Sequence, residues 1–276
     1  MRKLAAVLTA TVILFTITAC TDTETERIVE RSESEAHAEY VNAVNKVRAA
    51  DSFEGHIIVS GQFAMMDVAR ENAATIGVKH IFDSDGDLLA EIDATSAESN
   101  FKAYYKDGVF YLDDYDYSDN YDDSFKFAMQ GQDFLNMTLS MLVTEVLFSE
   151  EDIFGLEVIE DAYGTAIRFE VRQTGMQDVL RQLASYEDTG GTSIHDEEAT
   201  GYEFQDVVIM VRIDKNGALK DIKLAFLYSM VHHHVSDDTE ISAYLEIGMS
   251  ISQLGGVTID YPDDMLSFPD LGEMWG

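Results

Sequence analysis

The chain predicts an α+β fold built on an antiparallel sheet. Most apolar residues alternate at period two, the alternating runs are joined by hairpin-length turns, and helical spacing is confined to a few segments. Successive strands joined so tightly are antiparallel, because a parallel pair needs a crossover of about a dozen residues or more. No β-α-β alternation is present, which argues against a dinucleotide-binding domain or a two-lobed binding protein.

In chain order, the first segment is a leader. Arg2 and Lys3 precede an apolar run from Leu4 to Ile17, followed by Thr18, Ala19 and Cys20. That run is shorter than the about 20 apolar residues needed to span a bilayer, so it reads as a signal peptide over residues 1–19. The small pair before Cys20 resembles a lipobox, which implies cleavage there and a diacylglyceryl group on the thiol. The competing readings are an ordinary secretory cleavage site that happens to hold a cysteine, and an uncleaved anchor. Cys20 is the only cysteine, so disulfides within the chain, thiol catalysis and thiolate metal sites are excluded for the mature protein. Residues 20–35 are acidic and rich in Ser and Thr, and are expected to tether the lipid to a single domain over 36–276.

Ser32 with Glu35 offers a capping box, and Ala36, Tyr40, Val44 and Val47 recur at helical spacing to about Ala50. From Phe53 the period changes. Phe53, Ile57, Val59, Phe63 and Met65 share one face of a long strand, opposite Glu54, His56, Ser60 and Gln62. Further strands are expected at Ile76 to Phe82, Leu88 to Ala94, Phe101 to Tyr105 and Val109 to Tyr111, with turns at Asp85-Gly86 and Lys106-Asp107-Gly108.

Between Phe134 and Phe148 apolar residues cover most of a helix surface, so that helix is expected to be covered from more than one side. A strand at Ile167 to Val171 follows, then a short helix carrying Met176, Val179, Leu180 and Leu183. Three last strands are expected at Val207 to Ile213, Ile222 to Met230 and Ile241 to Ile251, with Asn216-Gly217 turning the first into the second. Pro262 and Pro269 lie in an irregular tail.

A formal charge of -34 opposes binding to nucleic acid phosphates and to anionic lipid headgroups. Such acidity suits either a salt-rich habitat or a soluble cell-surface protein. No nucleophile elbow, no HExxH and no phosphate-cradling glycine loop is present, so neither an enzyme mechanism nor a cofactor is signalled.

Three segments carry a likeness to a family: Ala49 to Ile57, where a helix passes into a long strand; Tyr104 to Tyr111, a hairpin with aromatic flanks; and Arg212 to Leu219, another hairpin. With the element order they make the chain, over roughly residues 36–260, resemble the LolA/LppX-like lipoprotein superfamily. The resemblance implies a half-barrel, a curved antiparallel sheet with helices packed on its concave face. It also implies lipid or acyl-bearing ligands held between sheet and helices.

On that expectation the cavity candidates are Phe63, Met65, Phe134, Met137, Met141, Leu142, Phe226 and Met249, the methionines being adaptable liners. The alternative is that these residues close into a filled core and that the protein acts through its acidic surface on another envelope protein. Weak metal candidates are His232 with His234, and the acidic segment containing Asp113 and Asp116; Asp83 to Asp87 begins like a calcium loop, but Ala94 stands at its twelfth position. For each of these the competing reading is a solvated polar turn.

Overall fold

The computed structural model describes residues 27–65, 68–96, 100–115, 124–131, 148–179, 202–233 and 238–270. In chain order the elements are β1 (Arg27–Ile28), α1 (Glu33–Arg48), β2 (Ser52–Met65), β3 (Val68–Phe82), β4 (Leu88–Ser96), β5 (Asn100–Lys106), β6 (Val109–Tyr115) and β7 (Phe125–Ala128). They continue with β8 (Ile153–Glu160), β9 (Gly164–Val171), a helical segment at 173–179, β10 (Tyr202–Asp214), β11 (Leu219–His233) and β12 (Asp238–Leu254).

Among the described residues the twelve strands form one curved, unclosed antiparallel sheet, a half-barrel with the helices on its concave face. Its order is β1-β8-β9-β10-β11-β12-β2-β3-β4-β5-β6-β7. Two meanders, β2 to β7 and β8 to β12, are thus joined at one seam. There β12 pairs with β2 from Ser242 opposite Ala64 to Leu254 opposite Phe53.

The capping box forms as the sequence predicts. The Ser32 hydroxyl accepts the Glu35 N–H at 3.3 Å, and a Glu35 carboxylate oxygen accepts the Ser32 N–H at 3.1 Å. The Ser32 hydroxyl, which donates to the same carboxylate at 2.8 Å, and the Ser32 N–H hold the Glu35 carboxyl below its ordinary range. One face of α1 buries Ala36, Tyr40, Ala43, Val44 and Val47. Tyr40 is wholly buried, and desolvation pushes its phenol up.

Three strands go beyond those the alternation predicts. β1 lies inside the stretch expected as a tether, and that stretch joins the fold from Arg27 onward. Arg27 pairs with Glu160, Ile28 with Ile159, and Arg31 bonds both Glu39 and Glu160. β8 escapes period-two reading because of a bulge between Phe154 and Glu157, where Gly155 takes φ +63°. Ile153 and Val158 both end up buried although their spacing is odd. β7 is only four residues long and follows the acidic segment.

One turn device recurs along one rim of the sheet. Asp83 Oδ1 accepts the Asp85 and Asp87 N–H groups, Asp161 Oδ1 those of Tyr163 and Gly164, and Asp214 Oδ1 those of Asn216 and Ala218. The side chain of Asp83 is therefore committed to its own backbone.

The tail is not loose. Met265 and Phe268 bury against Tyr104 and Tyr111 on the outer face, and Lys126 N–H donates to the Pro269 carbonyl at 2.9 Å, covering the β7 edge.

Gly164 provides a test of this packing. A Cβ there would stand 2.0 Å from the Ile213 carbonyl oxygen, whereas one on Gly86 meets nothing within 4 Å. Gly164→Ala should cost about 3 kcal/mol or more in urea denaturation, and Gly86→Ala only about 1–2 kcal/mol for its positive φ. Equal losses would contradict the β9–β10 register.

Candidate functional site

The concave face carries two apolar fields. The first lies under α1 and the 173–179 helix, where Tyr40, Ile57, Phe169, Met176, Ile209 and Ile222 are all almost fully buried. The second lies on β4 to β6: Leu88, Ala90, Ile92, Ala103, Tyr105 and Phe110. Ile76 packs against both, so they are continuous across β3.

Geometry explains the division. A helix of 16 residues is about 24 Å long, and strands are about 4.8 Å apart, so α1 laid across the sheet covers about five strands. Its contacts fall on β8, β10 and β11. The β4–β6 field lies beyond that footprint.

Within the second field the registers align Val78, Ile92, Ala103 and Leu112 in one row and His80, Ala90, Tyr105, Phe110 and Phe127 in the next. Alanines at 90, 94 and 103 lower the floor, and Leu88, Phe101, Tyr105 and Phe110 stand around it. The Tyr105 hydroxyl donates to the Met129 carbonyl at 3.0 Å.

His80 is the polar exception on this surface. It is 5 % exposed, it lies between the Phe53 and Phe82 rings at 5.4 and 5.2 Å, and its buried Nε2 has no hydrogen-bond partner. Desolvation alone pulls its pKa down to about 4, so the imidazole is neutral at neutral pH. Charged pairs occupy the opposite face, including Lys79 with Glu91, Lys102 with Asp93 and Lys223 with Glu246. There burial and the neighbouring Glu246 push the Tyr244 phenol up to about 12.

Of the sequence-predicted cavity residues, Phe226 and Met249 lie outside the β4–β6 field, buried in the α1 field. Phe63 and Met65 lie in β2 opposite Arg70 and Val68. Phe134, Met137, Met141 and Leu142 lie outside the described residues. Of the metal candidates, Asp113 accepts a hydrogen bond from the Ser124 hydroxyl at 3.0 Å, His232 pairs through its backbone with Thr239, and Asp116 and His234 lie outside the described residues. Among the described residues no three His, Cys, Asp or Glu side chains converge as a metal site would require.

No family model matches the chain, and no curated protein matches it. Among solved structures it is similar to the lipoprotein LppX of Mycobacterium tuberculosis, at 14 % identity and a TM-score of 0.39, covering 83 % of this chain and 100 % of that one. It is also similar to a DUF1329 family protein of Desulfovibrio piger, at 10 % identity and a TM-score of 0.27, covering 83 % and 96 %. A third is an outer membrane lipoprotein-sorting protein domain of Vibrio parahaemolyticus, at 8 % and 0.23, covering 86 % and 98 %. The half-barrel assignment rests on the strand order and registers above rather than on these likenesses.

Sequence reasoning passed over Ala90, Ala103 and His80 as a group. Their inward positions were readable from the alternation, but the row that aligns them across three strands depends on pairing register.

His80 makes stability depend on pH with a definite sign. The unfolded chain takes up a proton on His80 below about pH 6.5, and the folded protein does so only near pH 4, so stability falls as pH drops through that window. The loss amounts to roughly 3 kcal/mol. Urea denaturation should show the pH slope in that window shrinking in His80→Phe; an unchanged slope would contradict a buried neutral imidazole.

Proposed function

We propose that the chain is an exported lipoprotein, held to the outer face of a cell membrane through a lipid on Cys20, that carries an apolar or acyl-bearing molecule against the β4–β6 field of its concave face. The observation that supports this reading is the extension of the apolar concave surface beyond the α1 footprint, with its floor lowered by alanines. Desolvation of an acyl chain would drive binding at about 0.8 kcal/mol per buried CH₂. No catalytic group is required, and the role is carriage or sensing rather than chemistry.

The second reading, a filled core with function on the acidic outer surface, draws on the low exposure of Ala90 and Ala103, each 1 %. The two readings differ in whether the space above these alanines is free. If a ligand occupies it, Ala90→Leu and Ala103→Leu should leave the melting temperature of ligand-free protein nearly unchanged and weaken displacement of a fluorescent fatty acid about tenfold. If the core is filled, each substitution should cost about 1–3 kcal/mol through overpacking, with no fatty acid binding in the parent protein.

A further inference from the structure

The tether has only seven residue steps between Cys20 and Arg27, the first residue of β1. Fully extended, they reach at most about 25 Å. Because Arg27 pairs with Glu160, the chain enters the fold beside the β8–β9 turn, three residues before Tyr163. Tyr163 is 73 % exposed and Ile28 is 74 % exposed. Any bilayer that holds Cys20 is therefore within reach of two exposed apolar side chains at one corner of the rim.

The same corner gathers cations. Arg27, Lys46, Arg48, Arg212, Lys215 and Lys220 are all exposed there, a third of the 18 Lys and Arg residues of the chain. Lys46 spans from the last turn of α1 to the β10–β11 turn, where its ammonium donates to the Asn216 and Gly217 carbonyls at 3.0 and 2.9 Å. Carbonyl partners leave its charge uncancelled. Of the carboxylates nearby, Glu160 pairs with Arg31 and Asp161 with Arg212 at 3.0 Å, while Asp214 bonds only backbone N–H groups and Glu30, Asp51 and Asp221 are exposed. Farther along the same rim the turns carry Asp83, Asp85, Asp87 and Asp107. The exposed lysines and arginines are therefore denser at this end of the rim than at the β3–β4 turn, in a protein whose formal charge is -34.

We infer that this corner is the membrane-facing end of the domain, with Tyr163 and Ile28 at the lipid–water interface and the Lys46, Arg48, Lys215 and Lys220 cluster over anionic phospholipid headgroups. The inference rests on the anchor reading of Cys20. Tyrosine suits the interface, having an apolar body and a polar tip, and basic side chains gain from a negative leaflet. The Asp83–Asp87 turn is then turned away from the bilayer, and the domain rests on a part of its surface rich in exposed lysine and arginine.

If Cys20 carries lipid, any introduced cysteine is the only free thiol, so a nitroxide label can be placed on Tyr163→Cys or, for comparison, on Asp85→Cys. The full mature chain would be reconstituted into mixed phosphatidylcholine–phosphatidylglycerol vesicles after mass spectrometry of Cys20. The label at position 163 should be accessible to dissolved oxygen and shielded from a water-soluble nickel chelate, and the label at 85 the reverse. Adding Lys215→Glu and Lys220→Glu should lower this contrast by about twofold or more. Equal accessibility at 163 and 85 in lipid-bearing protein would overturn the orientation while leaving the anchor and carrier readings standing. A contrast that survives the charge reversal would overturn the headgroup assignment, and a mature chain without lipid on Cys20 would overturn both the orientation and the anchor.

Discussion

The pairing of β12 with β2 is the interaction on which the rest of the molecule depends. Each meander is held by local hairpins, but neither is wide enough alone to form the curved sheet. The seam brings residues nearly the whole length of the domain apart into register, Phe53 beside Leu254 and Ile57 beside Met249. It also brings β2 beside the strands that α1 covers, so that Phe53 and Ile57 enter the same buried cluster as Ile209 and Ile222. The bonds from the Val257 N–H to the Ser52 hydroxyl at 3.2 Å and from the Gly255 N–H to the Ser52 carbonyl at 2.8 Å fasten the end of the seam. A contact of such sequence separation is entropically costly to close, which assigns it to a late step in folding.

Once the seam exists, the two faces acquire different tasks. The outer face is satisfied by cross-strand ion pairs and by the C-terminal tail, whose Met265 and Phe268 fill against Tyr104 and Tyr111. The described part of the concave face is mainly apolar, with His80 the buried group left without a hydrogen bond there. Among the described residues, α1 and the 173–179 segment are together too short to cover twelve strands. The second apolar field lies beyond the strands that α1 contacts, and the proposed carrier role follows from that field rather than from any cluster of reactive side chains.

The strands with long alternating runs, β2 to β6 and β9 to β12, were legible from the sequence, as was α1 through its Ser32 and Glu35 cap. β8 was not, because the Gly155 bulge moves Ile153 and Val158 onto one face at an odd spacing. β1 was not, because Arg27 and Ile28 give no pattern and are held by a partner strand more than a hundred residues away. The site was less legible than the fold. Large side chains such as Phe226 and Met249 drew attention as cavity liners, yet they are buried in the α1 core. The residues that shape the second field are alanines, whose contribution is the absence of bulk, and that is visible only when register sets them side by side.

The strong negative charge and the proposed lipid anchor, which pull in opposite directions in the sequence, are reconciled by the position of β1. The chain enters the fold beside the β8–β9 turn, near the exposed Arg27 and Arg212 and away from the Asp83–Asp87 turn. What remains decisive is whether the concave face holds a ligand. Native mass spectrometry of the chain lacking residues 1–20, purified from its expression host and followed by organic extraction, measures this directly. A carrier gives an added mass that is released as lipid and lost on extraction. A ligand-free mass in repeated preparations, together with no mass shift on adding fatty acid, would contradict the carrier role.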